Sequence, residues 1–135
     1  MKMNRIIMGN YILGFCIVLL LSIGGCAAGH EDYKKYLNMN IGESIKNQKL
    51  SRSPDAGKLI RSDYLIDGEG LTNITTLDSG ILRYHFSRQE VLPNYSIKDY
   101  VGKCLIYYDV DPNTHIIIAW GFDEGGNPLS CRTWS

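Results

Sequence analysis

The sequence predicts an α+β domain, two short N-terminal helices packed on a four- to five-stranded antiparallel sheet. Three observations predict it. Apolar residues recur at helical spacing between 33 and 50, apolar alternation with period two begins near Lys58, and a strong hairpin pattern runs from Cys104 to Phe122. Helical segments followed by runs of strands are the signature of a two-layer sandwich with one core.

Each element has its own local reason. Tyr33, Tyr36, Leu37 and Asn40 fall on one helical face, with Lys34 and Lys35 on the other. Gly42 interrupts, and a second short helix is expected from about Glu43 to Leu50, with Glu43 suited to a first turn. Ser53-Pro54-Asp55 and Gly57 are turn chemistry. Ile60, Ser62, Tyr64 and Ile66 then alternate as a first strand. A second strand is expected over Thr72–Leu77, a turn at Asp78-Ser79-Gly80, and a third strand over Ile81–Phe86. Residues 88–103 read as a long loop containing Tyr95 and Tyr100. Cys104, Ile106, Tyr108 and Val110 then alternate with Leu105, Tyr107 and Asp109. Asp111-Pro112-Asn113-Thr114 turns the chain, with Pro at the second turn position, and Ile116, Ile118, Trp120 and Phe122 alternate with Ile117, Ala119 and Gly121.

The first 25 residues are a different kind of text. Lys2 and Arg5 precede an uncharged run from Ile6 to Gly25, which ends in Ser22-Ile23-Gly24-Gly25-Cys26. A positive start, an apolar middle and small residues before a cut are the grammar of a secretory signal. An aliphatic residue and two small ones before Cys resemble the lipobox of a bacterial lipoprotein. That resemblance implies cleavage before Cys26 and lipidation of its sulfur, so that membrane lipid is the first partner. The alternative is a plain membrane helix, since 20 uncharged residues can span a bilayer. By the sorting pattern of such lipoproteins, Ala27 points to the outer membrane, facing the periplasm. The chain thus divides into a signal peptide (1–25), a lipidated tether (26–31) and a single domain (32–135).

Charge and cysteines follow from that division. The whole chain has 14 basic and 14 acidic residues; removing Lys2 and Arg5 with the leader leaves 12 against 14, a net of −2. A nucleic-acid partner is not expected without a basic excess. Cys16 leaves with the signal, Cys26 takes the lipid, and Cys104 and Cys131 remain as an even pair. An oxidising compartment favours a Cys104–Cys131 disulfide, two free buried thiols being the other reading. No Cys pair has metal-site spacing and His30, His85 and His115 are scattered, so neither a metal nor any other cofactor is expected.

Catalytic constellations are thin. Asp109-Val110-Asp111-Pro112-Asn113 starts like a calcium loop, but Thr114 and Trp120 stand where Gly and Glu belong. His85 needs a distant acid to act as a base, and no Ser lies in a nucleophile elbow. No catalytic residue is assigned and an enzyme is not expected. Nine tyrosines and two tryptophans point instead to contact surfaces. The candidate partner surface is Tyr107 with Ile117 as its expected neighbour across the hairpin, and Tyr95 with Tyr100 in the long loop.

Met39-Asn40-Ile41-Gly42-Glu43-Ser44, Ser53-Pro54, Asp78-Ser79-Gly80 leading to Tyr84-His85-Phe86, and Cys104 opening a strand add up to a pattern across residues 36–122. With the lipobox, it resembles the SmpA/OmlA (BamE-like) family of small outer-membrane lipoproteins. The family's Gly-x-Pro at the helix end is here Arg52-Ser53-Pro54. The resemblance implies a two-layer sandwich at the outer membrane. The function expected is a structural or adaptor lipoprotein with an envelope protein partner, in the setting of outer-membrane assembly. The alternative is a periplasmic inhibitor or ligand-binding module, of the lysozyme-inhibitor kind.

Overall fold

The computed structural model describes residues 29–50, 54–58, 68–94 and 97–133. The signal segment, Cys26, the expected strand at 60–66 and Tyr95 lie outside the described residues. The described part is one α-helix and one four-stranded antiparallel sheet, in the order β1-β2-β3-β4.

Helix α1 spans His30–Met39. Glu31 and Asp32 occupy its first turn, where negative charge suits the helix dipole, and pair with Lys34 (2.8 Å) and Lys35 (3.0 Å) three residues on. Lys34 also holds the Glu31 carboxyl below its ordinary value, mainly by its hydrogen bond. Tyr33 and Leu37, one turn apart, are its buried residues. The helix starts at His30, so Gly29–Glu31, expected as the last part of the tether, belong to the folded domain. Gly29 N donates to Thr133 Oγ1 at 3.1 Å, His30 Nδ1 lies 3.0 Å from Cys131 O, and the His30 ring stacks on Phe122.

The expected second helix is not formed. Only a 3-10 turn, Ile45–Asn47, appears, with Ser44 capping it by accepting from Lys46 N. The cause is the neighbouring sheet edge. Gly42 N donates to Ile117 O (2.9 Å), Ile117 N to Glu43 O (2.9 Å) and Ile45 N to His115 O (2.9 Å), and Ser44 bridges Ile116. Backbone groups at an open edge need partners, and residues 42–45 satisfy them only in extended form. Gly42, at φ +89°, makes the bend from helix to edge.

Strand β1 is Gly70–Thr76 and β2 is Leu82–Val91, joined by a turn in which Leu77 N donates to Ile81 O. β3 is Gly102–Val110 and β4 is Ile117–Phe122. In their turn Asp111 Oδ1 accepts from Asn113 N (2.7 Å) and Thr114 N (3.0 Å), which lowers the carboxyl's pKa. β2 runs past the expected Phe86 to Val91, because an irregularity between Ser87 and Gln89 shifts the register and lets Gln89, Glu90 and Val91 pair with Cys104, Lys103 and Gly102. The long loop is therefore shorter than expected and contains a 3-10 turn, Lys98–Tyr100.

The inner sheet face and α1 enclose the core of Phe86, Ile106, Tyr108, Val110 and Ile117 against Tyr33, Leu37 and Ile45. Full burial of such a side chain contributes roughly 1.5–3 kcal/mol. Cys104 and Cys131, both fully buried, form a disulfide with Cα atoms 4.8 Å apart and a sequence separation of 27. A loop of that length corresponds to about 3–4 kcal/mol of chain-entropy stabilisation.

A second irregularity corrects the expected hairpin. Asp109 pairs with Ala119 but Val110 pairs with Ile117, leaving Ile118 as an extra residue in β4. The bulge switches the alternation. Ile117 joins Trp120 and Phe122 on the core side and is fully buried, while Ile118 is 44% exposed. Ile117 is therefore not part of an exposed surface, and Tyr107 lies opposite Gly121.

Candidate functional site

Before each strand irregularity the alternation sends one set of residues to α1 and the other to the opposite, outer face. On that outer face β2 contributes Arg83 and His85, β3 contributes Tyr107 and Asp109, and β4 contributes Ala119 and Gly121. These are the residues that the helix does not need for its own burial, and they form the best-organised side-chain cluster outside the core.

Arg83 and Asp109 are direct cross-strand partners. The guanidinium meets the carboxylate with both prongs, Nε to Oδ1 at 2.7 Å and Nη2 to Oδ2 at 2.9 Å. Paired opposite charges on facing strands stabilise the register, and the fork geometry adds direction. The Asp109 hydrogen bonds raise the Arg83 pKa. The same guanidinium carbon lies 3.7 Å from the centroid of the Tyr107 ring. That ring in turn lies over Gly121, where any Cβ would collide with the ring and its hydroxyl. Glycine in β4 is thus the seat on which Tyr107 lies flat.

Beside this clamp, His85 is held at both nitrogens. Nδ1 is 2.5 Å from Asp123 Oδ2, and Nε2 is 2.9 Å from Thr75 Oγ1. With Nδ1–H donating to Asp123, the neutral ring accepts the Thr75 hydroxyl proton at Nε2; the charged ring donates at both positions. This is an Asp–His–hydroxyl chain of the sort that general-base catalysis uses, and also of the sort that fixes a histidine on a surface. Asp123 is the distant acid that His85 lacked in the sequence reading. At the Ser87 end, Lys103 Nζ donates to Gly57 O at 2.7 Å, so the 54–58 turn closes that side of the face.

The sequence-derived candidates scatter. Tyr107 is on the outer face, at its centre. Ile117 is in the core. Tyr100 sits at the end of the sheet near the disulfide, with Arg132 Cζ 3.7 Å from its ring centroid, well separated from Tyr107 along β3. Tyr95 and Cys26 lie outside the described residues. Cys104 and Cys131 pair with each other, and the Tyr33 hydroxyl lies 3.8 Å from the Cys104 sulfur. Burial raises the Tyr33 phenol well above its ordinary value. Arg83, Asp109, Thr75 and Asp123 were missed. Arg83 and Asp109 carried a signal: each is an opposite charge on the polar side of its strand, at positions an antiparallel β2–β3 alignment brings together.

Among the described residues, no group of three or more His, Cys, Asp or Glu side chains is placed to hold a metal ion, and no helix is long and apolar enough to cross a membrane. No protein-family model, no curated protein and no solved structure matches this chain. The resemblance to the SmpA/OmlA lipoproteins therefore stands on the sequence motifs alone.

Proposed function

We propose that the protein is a lipid-anchored envelope lipoprotein, tethered through Cys26 on the periplasmic side of the outer membrane, whose domain acts as a structural adaptor for an envelope protein. The lipobox-like Ile23-Gly24-Gly25-Cys26 supports the anchor and the compartment. A stapled pair of buried cysteines suits an oxidising compartment.

The observation that carries the adaptor role is the outer sheet face opposite α1. Arg83 stacks on Tyr107 and forks onto Asp109, and His85 bonds to both Asp123 and Thr75. A pre-ordered aromatic and arginine on a sheet face match the composition of protein-binding hot spots, because little entropy remains to be lost on binding. The BamE-like sequence motifs support outer-membrane assembly as the setting of such an adaptor.

The test is crosslinking in cells followed by purification of the full-length lipoprotein. Ala119→Arg adds a long cation to the outer face in the edge strand β4, opposite Asp109 and away from the core side. Wild type should retain a specific envelope protein, and the variant should lose it while remaining folded and membrane-bound. Retention of the same partner by the variant, or capture of no protein by wild type, contradicts the adaptor role. Stoichiometric inhibition of a cell-wall hydrolase by the purified protein favours the inhibitor reading instead.

A further inference from the structure

The lipid anchor and the fold are joined by very little chain. Only Ala27 and Ala28 separate Cys26 from Gly29. Three residue steps span at most about 11 Å even when fully extended. Gly29 has no slack of its own. Its N–H donates to Thr133 Oγ1 at 3.1 Å, its carbonyl accepts from Thr133 N at 3.3 Å and from Tyr33 N at 3.1 Å, and the next residue stacks on Phe122. Thr133 is two residues beyond the buried Cys104–Cys131 disulfide. A lipid on Cys26 therefore holds one particular end of the domain close to the headgroups.

That end is built from two 3-10 turns, Lys98–Tyr100 and Pro128–Ser130. Asn127 ties them into one piece. Its Nδ2 donates to Asp99 O (2.9 Å) and Val101 O (2.7 Å), and its Oδ1 accepts from Leu129 N (3.0 Å). Gln89 Nε2 adds a bond to Arg132 O at 3.1 Å. On this fixed base two large apolar side chains point to solvent, Ile97 at 42% and Leu129 at 41% exposure. At the same end Arg132 stacks on Tyr100, and the Lys98–Tyr100 turn carries the cation Lys98 beside Asp99. Exposed aliphatics beside tyrosine and basic side chains are the composition of a surface that sits at a lipid–water boundary.

We propose that this end of the domain, with Ile97, Leu129, Tyr100 and Arg132, rests on the bilayer surface and fixes the orientation of the protein on its membrane. The inference builds on the lipid-anchor reading of Cys26. The occupant is the bilayer because the tether brings it there, and a soluble partner competes for that position with a membrane already held within about three residues' reach. The exposed apolar side chains on α1 and just after it, Tyr36, Met39 and Ile41, lie six or more residues past His30, at least about 9 Å up the helix.

The test places the photoreactive residue benzoylphenylalanine at Leu129 of the full-length protein in its native membrane, with Asn113 as control. Asn113 is exposed in the turn at the opposite end of β3, about 25 Å away. After irradiation the purified protein is read by mass, which reports acylation of Cys26 and the adduct separately. Acylated protein with phospholipid adducts at position 129 and loss of them at 113 is the expected result. Acylated protein that gives protein adducts, a crosslinked dimer or no adduct at 129, or equal lipid adducts at both positions, overturns the orientation and leaves the anchor standing. Protein without acyl groups on Cys26 overturns the anchor and the orientation with it.

Discussion

Gly121 and Tyr107 behave as one unit, because the ring occupies the space a side chain at 121 would take. Gly121→Ala is expected to cost about 1–3 kcal/mol by overpacking. Tyr107→Ala vacates that space, so the double variant should cost clearly less than the two single losses together, read as non-additivity in urea unfolding. Elsewhere, single groups tie stability to pH. Burial raises the phenols of Tyr33 and Tyr108 above their ordinary value of 10.0, so their ionisation is resisted in the folded state. Their contribution is fully present below the unfolded value and is lost as pH rises beyond about 10 toward the folded values. Thermal scans should thus show a fall in Tm above pH 10, and Tyr33→Phe should blunt it, since the hydroxyl's described contact is a long one to sulfur.

At the scale of elements, register irregularities decide which face a residue meets. Ile117 and Ile118 are adjacent and chemically identical, yet one is fully buried and the other 44% exposed. Ile117→Ala should cost about 2–5 kcal/mol, whereas Ile118→Ala should stay within about 0.5 kcal/mol, as measured by chemical denaturation. The β3–β4 hairpin, its Asp111–Thr114 turn and the Cys104–Cys131 pairing were legible in the sequence, since period-two alternation, turn residues and an even cysteine pair are local or arithmetic signals. The bulge was not. An inserted isoleucine in a run of isoleucines leaves no break in the pattern, so Ile117 was placed on the wrong side. The missing second helix has a similar cause: Glu43 and Leu50 look helical locally, but the partner that extends residues 42–45 is β4, some 70 positions away. The site was half legible. Arg83 opposite Asp109 follows from aligning two polar stripes, whereas Asp123 reaches His85 only through the register of a bulged strand.

For the molecule as a whole, the termini of the described domain come together at one end. Gly29 bonds to Thr133, and the disulfide closes beside them. That places the staple directly behind the point where a lipid anchor on Cys26 would pull. The outer face, with Tyr107 and Arg83, lies on the side of the sheet away from α1. Under the proposed function the mature protein begins at Cys26, carries lipid there and keeps its other two cysteines bridged. The intact mass of the protein purified from its native membrane tests all three parts together. The prediction is a chain starting at Cys26, heavier by its acyl groups and lighter by two hydrogens for the Cys104–Cys131 bond. A chain that retains Met1–Gly25, lacks acyl groups or reacts with two equivalents of thiol reagent contradicts it.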